Sequence, residues 1–85
     1  MDIRIVILQR GWVYVGKFVR DGVHVRLEQS KCIRIWGTMR GIGELVLNGP
    51  TSKTILDEAG TVEYHELTEI CNMKTEAPLW LKLFT

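Results

Sequence analysis

Trp12-Val13-Tyr14-Val15-Gly16-Lys17-Phe18-Val19, then Arg20-Asp21-Gly22, then Val23-His24-Val25-Arg26-Leu27-Glu28, is the stretch that decides the fold. Its first run is rich in aromatic and β-branched residues, which suit a pleated, half-buried surface. Asp21-Gly22 tolerates the positive φ of a tight hairpin turn. In the second run Val23, Val25 and Leu27 alternate with His24, Arg26 and Glu28, the pattern of a strand with one wet face. The stretch therefore predicts a β-hairpin. Gly16 inside its first strand predicts a bulge or the close approach of another backbone.

Strands extend from this hairpin in both directions. Ile3, Ile5 and Ile7 alternate with Arg4, Val6 and Leu8, and Arg10-Gly11 supplies a turn. Residues Lys31 to Trp36 predict a fourth strand after a break at Gln29-Ser30. Glycine then recurs at Gly37, Gly41, Gly43 and Gly49. Between the last two, Glu44 to Asn48 can form one or two helical turns, stopped by a left-handed Gly49 and by Pro50. Thr51 to Asp57 reads as a loop or short extended segment, Asp57 to Gly60 as a turn, and Thr61 to Ile70 as a fifth strand. After Pro78, Leu79, Leu81 and Leu83 alternate with Trp80, Lys82 and Phe84, which predicts a last strand. Such a tail is hazardous as an open edge, so its own domain or a neighbouring subunit is expected to cover it.

The expected fold is mainly β (β-rich α+β): a small antiparallel barrel or bent sheet of five to six strands with one short helix, in a single domain over residues 1–85. A flatter sheet with the helix on one face is the alternative. A chain this short buries only about 60–65% of its unfolded surface, and self-association would add buried area, so a homo-oligomer is expected.

Eleven Lys and Arg against ten Asp and Glu leave a formal net charge of +1, which argues against bulk binding to duplex nucleic acid. The charges are unevenly spread. Ile3 to Lys53 holds Arg4, Arg10, Lys17, Arg20, Arg26, Lys31, Arg34, Arg40 and Lys53 against Asp21, Glu28 and Glu44. Thr54 to Thr85 holds Lys74 and Lys82 against Asp57, Glu58, Glu63, Glu66, Glu69 and Glu76. A basic front and acidic back can attract an anion, drive head-to-tail association, or cancel within the fold. Cys32 and Cys71 form no CxxC pair and His24 and His65 stand alone, so no metal site and no cofactor are expected; both thiols read as small core residues. No apolar run approaches a membrane span and no signal segment opens the chain, so a cytoplasmic protein with no membrane partner is expected.

The segment Gly37-Thr38-Met39-Arg40-Gly41-Ile42-Gly43-Glu44 carries the main candidate site. Glycines leading into a helix can aim backbone N–H groups at an anion such as phosphate. Arg34, Arg40 and Lys53 would add charge, and Thr38, Thr51 and Thr54 hydroxyl donors. The spacing matches neither a Walker motif nor a dinucleotide fingerprint. The competing reading is a tight turn that needs glycine for its backbone angles. Of Trp12, Tyr14, Trp36 and Tyr64, three are expected in the core and Trp36 is the candidate stacking platform, with Tyr64 its substitute. His65, beside Glu63 and Glu66, could serve as a general base. No nucleophile is placed to complete a catalytic set, so no catalytic residue is expected.

Ile5-Val6-Ile7-Leu8-Gln9-Arg10-Gly11-Trp12-Val13, then Ile33-Arg34-Ile35-Trp36-Gly37-Thr38, Gly41-Ile42-Gly43-Glu44-Leu45, Asn48-Gly49-Pro50, Thr54-Ile55-Leu56-Asp57 and Gly60-Thr61-Val62 resemble a family of small proteins common in phage and prophage genomes. The resemblance spans roughly residues 3 to 70. It implies a context rather than a reaction: an infected bacterial host, and inhibition of host defence by sequestering a nucleotide-like signal or by binding a host or phage protein. Arg34, Arg40 and Lys53 would then pair with phosphate, Gly41 and Gly43 would expose N–H donors, and Trp36 or Tyr64 would stack on a base.

Overall fold

A computed structural model describes residues 2–85. The chain runs β1 (Ile3–Leu8), β2 (Trp12–Asp21), β3 (His24–Ile35), α1 (Ile42–Asn48), β4 (Ile55–His65), β5 (Glu69–Lys74) and α2 (Pro78–Leu83). Single 3-10 turns, Gln9–Gly11 and Glu66–Thr68, join β1 to β2 and β4 to β5. The strands form one antiparallel sheet in the order β4-β3-β2-β1-β5. The predicted hairpin closes with Asp21 opposite His24 and Gly22 at φ 63°.

The sheet is bent and not closed. A row of irregularities crosses its three long strands where it bends. Register shifts at Gly16 in β2 and across Gln29 and Ser30 in β3, and Gly60 of β4, which pairs with Ser30, has φ 69°. A bulge adds a residue to one strand, which bends the sheet and sharpens its twist. Ser30 is fully buried at the bend, its hydroxyl donating to Gly60 O at 2.7 Å. Gly16 fits because a Cβ there would come within 3.1 Å of Ser30. The bend brings the sheet's two edge strands, β4 and β5, close enough for three residues to join them.

The two faces are buried differently. Ile3, Ile5, Val13, Val15 and Ile33 on one face pack against Leu45 and Val46 of α1, and against Ala77, Trp80 and Phe84 around α2. Trp80 is fully buried and donates its indole N–H to Leu45 O at 2.7 Å, tying the helices together. The concave face buries Val6, Leu8, Val25, Leu27 and Tyr64, with Tyr14, Phe18 and Val62 beside them, and no helical residue joins this cluster.

Five expectations are corrected. The tail is a helix, because Pro78 presets the first turn and Trp80 and Phe84, four apart, enter the core together. The break at Gln29-Ser30 is a bulge inside one continuous strand, with Gln29 at φ 53°. Asp57 to Gly60 lies within β4, and Thr61 to Ile70 is interrupted at Glu66–Thr68. Cys71 is exposed on the edge strand and Cys32 is half-buried.

Candidate functional site

The glycine segment and the Lys53 loop meet. Gly37, at φ 65°, lies against the Lys53–Thr54 peptide so closely that a Cβ would be 2.4 Å from the Lys53 carbonyl carbon and 2.5 Å from Thr54 N. Thr51 Oγ1 donates to Gly37 O at 2.7 Å and Thr54 Oγ1 donates to Trp36 O at 2.7 Å. These contacts follow from β3 and β4, whose last pair, Ile35 and Ile55, delivers both loops to one end of the sheet. The two loops are neighbours in sequence, separated by α1, but the contact itself is set by the strand pairing.

The threonines hold the loops together. Thr38 Oγ1 donates to Gly41 O at 3.0 Å, and Thr54 Oγ1 also accepts from Thr51 N at 2.8 Å. The protons of Thr38, Thr51 and Thr54, expected to face a ligand, are thus spent inside the fold. Gly41 has a positive φ of 84°, as a tight turn that needs glycine would, and Cβ atoms at Gly41 and Gly43 would meet nothing within 4 Å. A depression of about 260 Å³ beside α1 is lined by Arg40, Gly43, Glu44, Leu47 and Asn48. Glu44 Oε1 accepts from Arg40 N at 3.2 Å, which places one carboxylate in that depression.

The uneven charges of the sequence largely cancel across the sheet. Lys31 pairs with Glu58, His24 with Glu63, Arg34 with Asp57 and Arg20 with Glu66, so four acids of the back half meet bases of the front. Among the described residues, Arg10, Lys17, Arg40, Lys53, Lys74 and Lys82 make no ion pair, while Arg4 and Arg26 pair with Asp2 and Glu28. Arg34 donates from Nε to Asp57 at 2.7 Å, which raises its pKa further and fixes it on the sheet, short of the glycine loop.

Trp36 is 39% exposed beside the two loops. Tyr64 and His65 are not brought to them: they sit at the other end of β4, roughly 30 Å along the strand from Ile55. Tyr64 is buried on the concave face, and its hydroxyl and Glu69 Oε1 are both buried without a hydrogen-bond partner. Burial first, and then the nearby Glu69 charge, push the phenol pKa far up, with Arg20 opposing. Tyr64 therefore offers no open ring for stacking. His65 Nδ1 accepts from Leu67 N at 3.1 Å, capping the turn after β4.

Trp12, expected in the core, is 55% exposed, because it begins β2 at the margin of the packed face; its ring stacks on Tyr14 with centroids 6.3 Å apart. The buried tryptophan is Trp80. A second cavity of about 470 Å³, between the sheet and the end of α2, is lined by Lys17, Gln29, Lys31, Glu58, Leu83, Phe84 and Thr85. Among the described residues no helix is long and apolar enough to cross a membrane, and no group of three metal-ligating side chains converges.

No family model, curated protein or solved structure matches this chain.

Proposed function

We propose that the chain is a non-enzymatic binding protein that captures a small anionic, nucleotide-like ligand where the Gly37–Glu44 and Thr51–Thr54 loops meet. One observation carries this reading. Arg40 and Lys53 belong to two loops that Gly37, Thr51 and Thr54 lock together, and neither cation has an acid partner where most of the sheet's charges are paired. Two ammonium- or guanidinium-bearing chains against the single Glu44 carboxylate leave the junction cationic, which favours phosphate. Open space around Gly41 and Gly43 leaves room for a ligand against the backbone. Trp36 is the candidate base-stacking ring.

The setting comes from the resemblance of residues 3 to 70 to phage proteins: a cytoplasmic sink that removes a signal from host defence in an infected bacterium. Sequestration of this kind needs no cofactor and no turnover. Thermal unfolding of the purified protein with linear and cyclic nucleotides tests it. A ligand at a hundredfold excess over its Kd stabilises by about 2.7 kcal/mol, and this gain should vanish in Arg40→Ala and shrink in Gly43→Ala. Gly43→Ala keeps the fold, since its Cβ meets nothing. Absence of any shift across the panel would sink the proposal.

A second reading, an interaction module that blocks a host or phage protein, draws on the open edge of β5, where Leu67 and Ile70 are strongly exposed. An extended segment added to that edge would gain main-chain hydrogen bonds and an apolar contact. The same edge is the candidate contact between copies in a homo-oligomer. Here Ile70→Lys should abolish partner capture or change the sedimenting mass, while Arg40→Ala should do neither.

A further inference from the structure

We infer that the strip formed by Arg10, Trp12, Tyr14 and Arg34 binds single-stranded nucleic acid through its bases, at a site separate from the two loops. The strip is built by the β2–β3 ladder. Tyr14 pairs with Cys32, and two residues further toward the same end of the sheet come Trp12 on β2 and Arg34 on β3. Trp12 and Tyr14 are already stacked, with planes 16° apart, and Trp12 remains 55% exposed. One side of the indole is covered by Tyr14, so the open area can take a further planar ring in the same stack.

Two cations stand near the stack in the fold, Arg34 on the neighbouring strand and Arg10 in the preceding turn. Arg34 is oriented by Asp57, which accepts from its Nε and, at 3.4 Å, from one terminal nitrogen; the other terminal nitrogen makes no bond. Arg10 sits in the turn immediately before Trp12, held at φ 71°, and has no acid partner. A stacked aromatic platform beside a few cations is the chemistry that holds bases without reading their identity, because every base has a π-face. Neither of the two cavities described above includes these residues. The open strip therefore suits a strand that enters at one end and leaves at the other better than a free nucleotide that needs enclosure. The small cation count excludes duplex binding and limits the phosphate contacts to about two, for which log K should fall with log salt at a slope of roughly −1.4.

The test is fluorescence anisotropy of a labelled oligothymidine with the full chain, with thymidine monophosphate as competitor. Binding should weaken about tenfold or more in Trp12→Ala and in Tyr14→Leu, and Arg10→Ala should lower the salt slope by roughly 0.7. Trp12 is exposed, so its replacement leaves the core intact, which circular dichroism checks. Arg40→Ala should leave strand binding unchanged. The inference would be overturned by no binding, by binding indifferent to Trp12 and Tyr14, or by competition from the monophosphate at concentrations equal to the strand. Loss of strand binding in Arg40→Ala alone would move the strand to the loops, overturning this site and leaving the loop proposal standing.

Discussion

The two faces of the sheet solve one problem by different means. The face carrying Ile5, Val15 and Ile33 is covered by separate elements, and a single side chain, Trp80, joins them by packing on the sheet and bonding to Leu45 O. The face carrying Val6, Val25 and Leu27 is covered by the sheet itself, folded over at Gly16, Ser30 and Gly60. The first arrangement concentrates stability in one large side chain. The second spreads it over a backbone shape, so its weak points are residues with almost no side chain.

Trp80→Ala should therefore cost the most. Removing a buried tryptophan costs about 3–5 kcal/mol, and a small domain has only about 5–15 in total. The indole leaves a cavity and Leu45 O keeps only its bond from Gly49 N–H, so nothing ties α2 to α1 and α2 should come off the sheet. Urea unfolding would show a lower midpoint, and α2 amides should exchange with solvent first; retention of wild-type stability would show that the helices are independent of this contact. On the other face the sharpest probe is Gly16→Val. Its Cβ would sit 3.1 Å from Ser30 Cα and 3.2 Å from Glu28 O, where backbone cannot yield as a side chain can. Overpacking of this sort costs about 1–3 kcal/mol. The loss should appear as a lower Tm with the α2 amides still protected from exchange, whereas in Trp80→Ala they exchange first.

The same contrast explains which parts of the fold were legible in the sequence. The Trp12–Glu28 hairpin was legible because alternation and turn chemistry are local, and so was α1, which Gly49 ends with its N–H bonded to Leu45 O. The tail was not: Leu79 to Phe84 is apolar at both period two and period four, and a strand would put Lys82 on the face of Trp80 and Phe84, whereas the helix buries those two and leaves Lys82 exposed. The bend was half legible. Gly16 flagged a close approach, but its partner, Ser30, is set by the register of another strand. At the candidate site the cations and glycines could be named, whereas the contact of Gly37 with Lys53 depends on the register in which β3 pairs with β4. Trp12 departs from its expected core place for a related reason, while Tyr64 is buried as three of the four aromatics were expected to be: an aromatic on a strand is core or surface according to how far the covering element reaches, and composition does not report that.

The smallest expected effect is the most specific to the bent face. Tyr64 lies where β4 and β5 approach, its buried phenol held protonated by desolvation and by the charge of Glu69. A phenol whose folded pKa lies above its unfolded value of about 10 contributes stability below pH 10 and loses it as pH rises beyond that, since the unfolded chain releases the proton first. The protein should therefore lose stability progressively above pH 10. Tyr64→Phe should flatten that loss. At neutral pH the same variant should change stability by less than about 1 kcal/mol, because it removes a buried hydroxyl that has no partner. The comparison is made on chemical unfolding midpoints at pH 8 and pH 10.5, in wild type and Tyr64→Phe. Trp80→Phe, on the other face, should leave the pH slope intact while lowering both midpoints. Equal slopes in wild type and Tyr64→Phe would mean that another group governs the alkaline limb, and that the meeting of β4 with β5 does not depend on this phenol.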